Sequence, residues 1–165
     1  QCQRVGIARA LALNPKLVIL DEAVSAVDVS IQAQILNLLR DLQKELKLTY
    51  LFISHDLSIV RYMSSNIAVM YRGKIVENAD RDTLFKSPRH PYTLNLMESI
   101  PDPFQTNPRS TLQVLLDEDK ATRTKGCRYS PRCSRFKGRE ICLTQDPELS
   151  NFGEARVACH FATGH

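Results

Sequence analysis

Residues 17–22 read Leu17-Val18-Ile19-Leu20-Asp21-Glu22, a continuous apolar run that stops at two acids. A short run without alternation predicts a strand buried on both faces, as in a parallel sheet covered by helices. The pattern recurs at Thr49-Tyr50-Leu51-Phe52-Ile53, closed by Ser54-His55-Asp56. Between the two, Ile31, Ile35, Leu38, Leu39, Leu42 and Leu46 return at three- and four-residue spacing, which predicts a helix over 29–46. Upstream, 1–13 read as a helix with Val5, Ile7, Ala8, Leu11 and Ala12 on its apolar side, ended by Asn14-Pro15. Downstream, Ser54 or Asp56 is placed to cap a helix over 57–64. Strands at 67–71 and 74–77 then flank a tight turn at Arg72-Gly73. Alternating helices and buried strands predict an α/β fold with parallel strands.

The texture changes at Ser87. Five of the eight prolines lie between Pro88 and Pro108, around one helix predicted over 92–99, and 109–165 read as a small loop-rich module. The boundary divides the chain into 1–87 and 88–165. At 165 residues and 43% hydrophobic content the chain is long enough to bury a core. No apolar run approaches the ~18–20 residues of a membrane span. The start carries no secretory signal and no Met, so residue 1 is not expected to be the natural beginning. The net charge of +4 is uneven: the tract from Lys120 to Glu140 carries +7 and the remainder −3. Cys127, Cys133 and Cys142 sit in or just after that tract, and Cys159 follows. Clustered thiols on a chain without an export signal favour a metal over a disulfide framework.

Chemistry concentrates where the two buried runs end. Strand carboxyl ends line the ligand crevice of an open α/β sheet, so Asp21, Glu22 and His55 are expected to meet there. An acid at such a tip suits Mg²⁺ beside phosphate oxygens, a neighbouring acid can polarise a water, and a His can contact a terminal phosphate. Singly, an Asp-Glu pair reads as well as a helix cap and a lone His as a surface residue. Their joint order points to a site. Asp28 follows six residues after Glu22.

The segments QCQRVGIARAL, LVILDE, SAVD, FISHD and VMYRGKIVE stand in the order found in ABC transporter ATPase subunits, which this chain resembles. DVSIQAQILNLL and SPRHPYT at 87–93 are similar to the oligopeptide/dipeptide importer branch, including its cysteine-containing C-terminal extension. The wording of QCQR and VSAVDVSIQAQ leans toward oligopeptides. The resemblance implies the C-terminal part of a P-loop NTPase sheet with flanking helices. Its roles fall on Asp21 as Mg²⁺ support, Glu22 as general base and His55 as sensor of the γ-phosphate. Asp28 is implied at the interface between two ATPases, and Gln1 at a helix start facing ATP on the opposing subunit. ATP and Mg²⁺ are the implied cofactors. The implied partners are a second ATPase subunit, two transmembrane permeases and, indirectly, a solute-binding protein, with no nucleic acid. The implied location is the cytoplasmic face of the inner membrane, held peripherally.

Two departures stand out. Ala23-Val24 and Val27 replace the Pro-Thr and Leu usual in the family. More seriously, no G-x-x-x-x-G-K-[ST] loop occurs, so nothing in these residues cradles the β- and γ-phosphates. The chain reads as a truncated part, expected to be inactive alone. Its cysteines follow C-x₅-C-x₈-C-x₁₆-C. That spacing suits a 4Fe–4S cluster, to which the resemblance also points. Zn²⁺, with His160 in place of one Cys, and unligated thiols remain alternatives. The basic tract would offset an anionic cluster. A rival reading is a metal-stapled adaptor for nucleic acid or anionic lipid that keeps only ATPase remnants.

Overall fold

The computed structural model describes residues 2–24, 27–99 and 125–162, which fall into two compact units, 1–64 and 65–165. The composition boundary at 87/88 lies inside the second.

The first unit runs α1 (Cys2–Leu11), β1 (Leu17–Asp21), α2 (Val29–Leu46), β2 (Thr49–Ile53) and α3 (Leu57–Met63). β1 and β2 pair in parallel, from Leu17 opposite Thr49 to Asp21 opposite Ile53. α1 stops two residues short of the expected end, and Asn14 takes a left-handed turn before Pro15. α2 has the expected bounds and buries Ile35, Leu36 and Leu39. It ends at Lys47, whose left-handed backbone lets its own N–H and that of Leu48 reach the Gln43 carbonyl. Of the two candidate caps for α3, Asp56 is the one used: its carboxylate accepts from the N–H groups of Ser58 and Ile59. Val18, Leu20, Val24, Ile35, Leu36, Leu39 and Ile59 form the core, with Tyr50 and Phe52 packed on it. Tyr50 keeps its hydroxyl satisfied by donating to the Leu39 carbonyl at 2.9 Å.

Burial on both faces of the strands is not what the structure shows. Only alternate residues of β1 are covered, while Leu17 and Ile19 are 53% and 61% exposed, and Leu51 and Ile53 of β2 are about as open. α2 packs on the core face, while Ile19 on the other lines a groove with Gln3, Ile7 and Leu11 of α1.

The second unit carries the remaining elements: β3 (Asn66–Tyr71), β4 (Lys74–Asp80), α4 (Arg81–Lys86), α5 (Pro91–Glu98), a 3₁₀ turn (Ser130–Arg132), the single helical turn α6 (Ile141–Thr144), β5 (Ser150–Phe152) and β6 (Ala155–Val157). The sheet order is β3-β4-β6-β5, antiparallel throughout, so the parallel architecture expected from the alternation is confined to β1 and β2. Positive φ at both Arg72 and Gly73 gives the two-residue hairpin turn that matches strand twist. Leu84, Ala79 and Val157 are buried. The rings of Tyr71, Tyr92, Tyr129 and His90 pack with centroids 4.7–5.6 Å apart. Gly126 has positive φ, and a Cβ there would lie 2.5 Å from the Leu143 backbone, so this close approach requires glycine.

Leu39 is 1% exposed at the centre of the first core, whereas Leu13 is 91% exposed. Leu39→Ala is expected to lower unfolding free energy by ~2–5 kcal/mol and Leu13→Ala by less than ~0.5 kcal/mol, measured by urea titration.

Candidate functional site

The ladder between β1 and β2 continues one residue beyond β1, where the Glu22 N–H donates to the Ile53 carbonyl at 3.0 Å. Glu22 holds φ at +48°, an uncommon conformation for a side-chain-bearing residue and one that costs of order 1–3 kcal/mol. His55 follows the end of β2, and its Nδ1 lies 2.8 Å from Glu22 Oε1. The carboxylate raises the imidazole pKa above its ordinary 6.5, first through the hydrogen bond and then through its charge, with Asp56 adding to the effect. Both side chains reach solvent. Once protonated, the ring donates through Nδ1 to Glu22 and presents Nε2–H outward as a donor for an anion.

Asp21 is exposed at the end of β1 and lines a groove of about 400 Å³ with Gln3, Ile7, Leu11 and Ala23. Asp28 is the N-cap residue of α2, yet its carboxylate makes no capping bond; only its carbonyl is engaged, accepting from the Gln32 N–H. It therefore stands as an exposed acid at a helix start. The structure thus brings Glu22 and His55 into direct contact and leaves Asp21 and Asp28 as separate exposed carboxylates. Gln1 lies outside the described residues, as do Ser25 and Ala26 of the SAVD segment.

The metal expectation finds no support among the described residues. Cys127, Cys133, Cys142 and Cys159 are free thiols in one module, and the Cys127 N–H donates to the Cys142 carbonyl at 2.9 Å. Cys127 and Cys133 each feel the charge of Cys159, and Cys142 feels that of Cys127. Even so, no three His, Cys, Asp or Glu side chains among the described residues are grouped to hold a metal ion, so neither the 4Fe–4S nor the Zn²⁺ set is assembled. Burial, and then the charge of neighbouring cysteines, pushes the thiols of Cys127, Cys133 and Cys142 up. His160, the alternative ligand, has Nε2 committed to the Gln145 carbonyl at 3.0 Å.

The basic tract is also put to a different use. Arg128 donates to the Arg72 carbonyl, Arg135 donates to the carbonyls of Arg89 and Phe161, and Arg139 lies 3.8 Å over the Phe161 ring. Arg128 and Arg135 tie backbone segments together, and the charges of Arg135 and Arg139 also act on Cys133 and Cys142. Lys120 and Arg123 lie outside the described residues.

Sequence reasoning missed Glu77. It is fully buried, and its two carboxylate oxygens accept the N–H groups of Arg89 and His90 at 2.8 and 2.9 Å. His90 in turn accepts the Tyr92 N–H on Nδ1 at 3.0 Å, capping α5 with Pro91 in its first turn. SPRHPYT is thus a clamped corner. The one signal in the sequence was Pro91 at a helix start, since an acid that closes on residues twelve and thirteen positions away leaves no local pattern.

Two titrations follow. The His55 midpoint, read by NMR, is expected above 6.5 and falls toward that value in Glu22→Gln. A raised histidine pKa adds stability below the unfolded value and loses it as pH rises through the folded one. His90 behaves oppositely: burial, then the charge of Arg135, lowers its pKa to about 4. The unfolded chain then takes up a proton below about pH 6.5 that the folded chain refuses, so stability falls as pH drops through that window. The loss approaches ~3 kcal/mol by pH 4. Urea unfolding at pH 7, 6 and 5 should show this slope, and His90→Asn, which keeps a capping oxygen, should flatten it.

Among known families, the oligopeptide/dipeptide transporter C-terminal region matches residues 76–142. An oligopeptide transport ATP-binding protein of Bacillus subtilis is 47% identical over 164 residues, covering 97% of this chain and 49% of its own length. A dipeptide transport ATP-binding protein of Escherichia coli is 45% identical over 161 residues, covering 96% and 47%. A solved ATP-binding cassette of an ABC transporter, in its ADP conformation, is 26% identical and aligns over 59% of this chain and 38% of its own, with a TM-score of 0.49. The chain spans about half the length of the curated relatives it matches. Among the described residues no helix is long and apolar enough to cross a membrane. By these matches the chain belongs to the oligopeptide/dipeptide ABC transporter ATP-binding family and corresponds to its C-terminal portion.

Proposed function

We propose that the chain supplies the hydrolytic strand tips of an ATP-hydrolysing subunit that energises import of oligopeptides or dipeptides. The observation that carries this reading is the 2.8 Å contact between His55 and Glu22 at neighbouring tips of a parallel pair. The residues suit the implied group: Asp21 and Glu22 offer exposed acceptor oxygens, as Mg²⁺ requires, and His55 offers a donor toward phosphate. When bound, Mg²⁺ supplies charge neutralisation on the phosphate oxygens.

In this reading Asp21 holds the ion directly or through water. Glu22 orients the attacking water and accepts its proton, while His55 Nε2–H donates to an oxygen of the terminal phosphate. The His55–Glu22 bond fixes the imidazole so that Nε2 faces the substrate. The lysine and backbone nest for the β- and γ-phosphates are absent from these 165 residues, so they come from another segment of the subunit. Asp28 faces a second ATPase; Gln1, which the resemblance implies there too, lies outside the described residues. The ATPase pair works with two permeases and a solute-binding protein from the cytoplasmic side of the membrane. The names of the relatives support ATP binding and peptide transport.

The test is Glu22→Gln in a subunit of full relative length that carries the phosphate loop. ATP binding should persist while turnover drops by ~10²–10⁴-fold. Unchanged turnover would remove Glu22 from the role of general base. His55→Ala should lower turnover with little change in ATP affinity.

A further inference from the structure

Beside the clamped corner, a cavity of about 30 Å³ is lined by His90, Tyr71, Lys74, Cys127, Arg128 and Asp146, together with apolar neighbours. The His90 ring is 1% exposed. Its Nδ1 is already used, accepting the Tyr92 N–H at 3.0 Å. A neutral imidazole that accepts on Nδ1 carries its proton on Nε2, so His90 is a buried donor whose free end is Nε2–H. Among the described residues no protein group accepts from it. Folded proteins rarely leave such a donor unsatisfied, and ordered water is the usual partner when no protein atom is in reach.

The size and chemistry of the cavity select the ligand. Its volume has room for one or two water molecules. In its wall Lys74 pairs with Asp146, and Arg128 donates to the Arg72 carbonyl. The His90 ring is neutral at physiological pH. A water finds here both a donor and acceptors, whereas the Asp146 carboxylate in the wall disfavours an anion.

We propose that this cavity is a built hydration site, in which one ordered water accepts from His90 Nε2–H and donates to the wall, the Asp146 carboxylate foremost. The water joins the His-Pro-Tyr corner and the β3–β4 hairpin to the 127–147 segment within the second unit. The corner histidine thus has two tasks. Nδ1 starts α5, and Nε2 fastens the tail through solvent.

The tautomer is read first, on the full chain labelled with ¹⁵N-histidine at pH 7. Long-range ¹H–¹⁵N spectra should show His90 protonated on Nε2 alone, with a cross-peak from that proton to slowly exchanging water. A crystal structure grown with bromide in place of chloride should show one water-sized peak about 2.7–3.2 Å from Nε2 without anomalous signal. A proton on Nδ1, a doubly protonated ring at pH 7 or an empty cavity would each overturn the proposal. An anomalous bromide peak would replace water with an anion and overturn it equally. In His90→Asn, which keeps the capping oxygen but withdraws the reach of Nε2, the water peak should vanish while α5 persists. Should that variant not fold, the wild-type tautomer and density decide.

Discussion

The backbone N–H of Glu22 donates to the Ile53 carbonyl across the ends of two parallel strands, and the candidate site depends on that bond. It carries the ladder past the last regular pair and holds Glu22 in a left-handed conformation that its side chain alone would not choose. The bend turns the carboxylate toward the neighbouring tip, where His55 meets it. A strained residue persists only when its surroundings over-determine it. Here the constraints are the in-register strands below it and the core of Val18, Leu20 and Leu39 against which they pack. The apolar run before the two acids is therefore the foundation of the polar pair after it.

The second unit is organised by polar groups that satisfy backbone. Glu77 accepts two consecutive N–H groups, His90 accepts a third, and arginines donate to carbonyls that have no partner in the sheet. The bonds made by Glu77, His90 and Arg135 satisfy buried or half-buried groups that would otherwise cost roughly 1–3 kcal/mol each. A module with short strands, single helical turns and few large apolar residues gains its order from such bonds as much as from its aromatic cluster. Cross-linking by a metal is not needed to account for the geometry of the tail.

What the sequence made legible was local. The apolar spacing over 29–46, the Arg72-Gly73 turn and the Asp56 cap depend on residues within a few positions of one another, and all three are present. The strand tips were legible for the same reason: an apolar run followed by a polar triplet marks its own end. Long-range partners were not. Nothing near Val157 announces that it pairs with Glu77, and so the antiparallel sheet uniting hairpin and tail escaped notice. Nor does cysteine spacing encode whether four thiols can close on one point. Clustering in sequence brought them into one module, where burial pushes three of the thiols up. The continuous run at 17–20 was read as doubly buried because its composition suits that setting, but composition cannot say whether a second covering layer lies within the same 64 residues.

That partly open face has a consequence for handling the protein. β1 and β2 pair only with each other among the described residues, and their open face presents Leu17, Ile19, Leu51 and Ile53 in two adjacent rows. Two strand edges rich in β-branched and aliphatic side chains, free of proline, are a template for intermolecular strand addition. Synthesised in isolation, the chain is therefore expected to self-associate as its concentration rises. The apolar runs that set the site in place are also the segments through which the chain would self-associate.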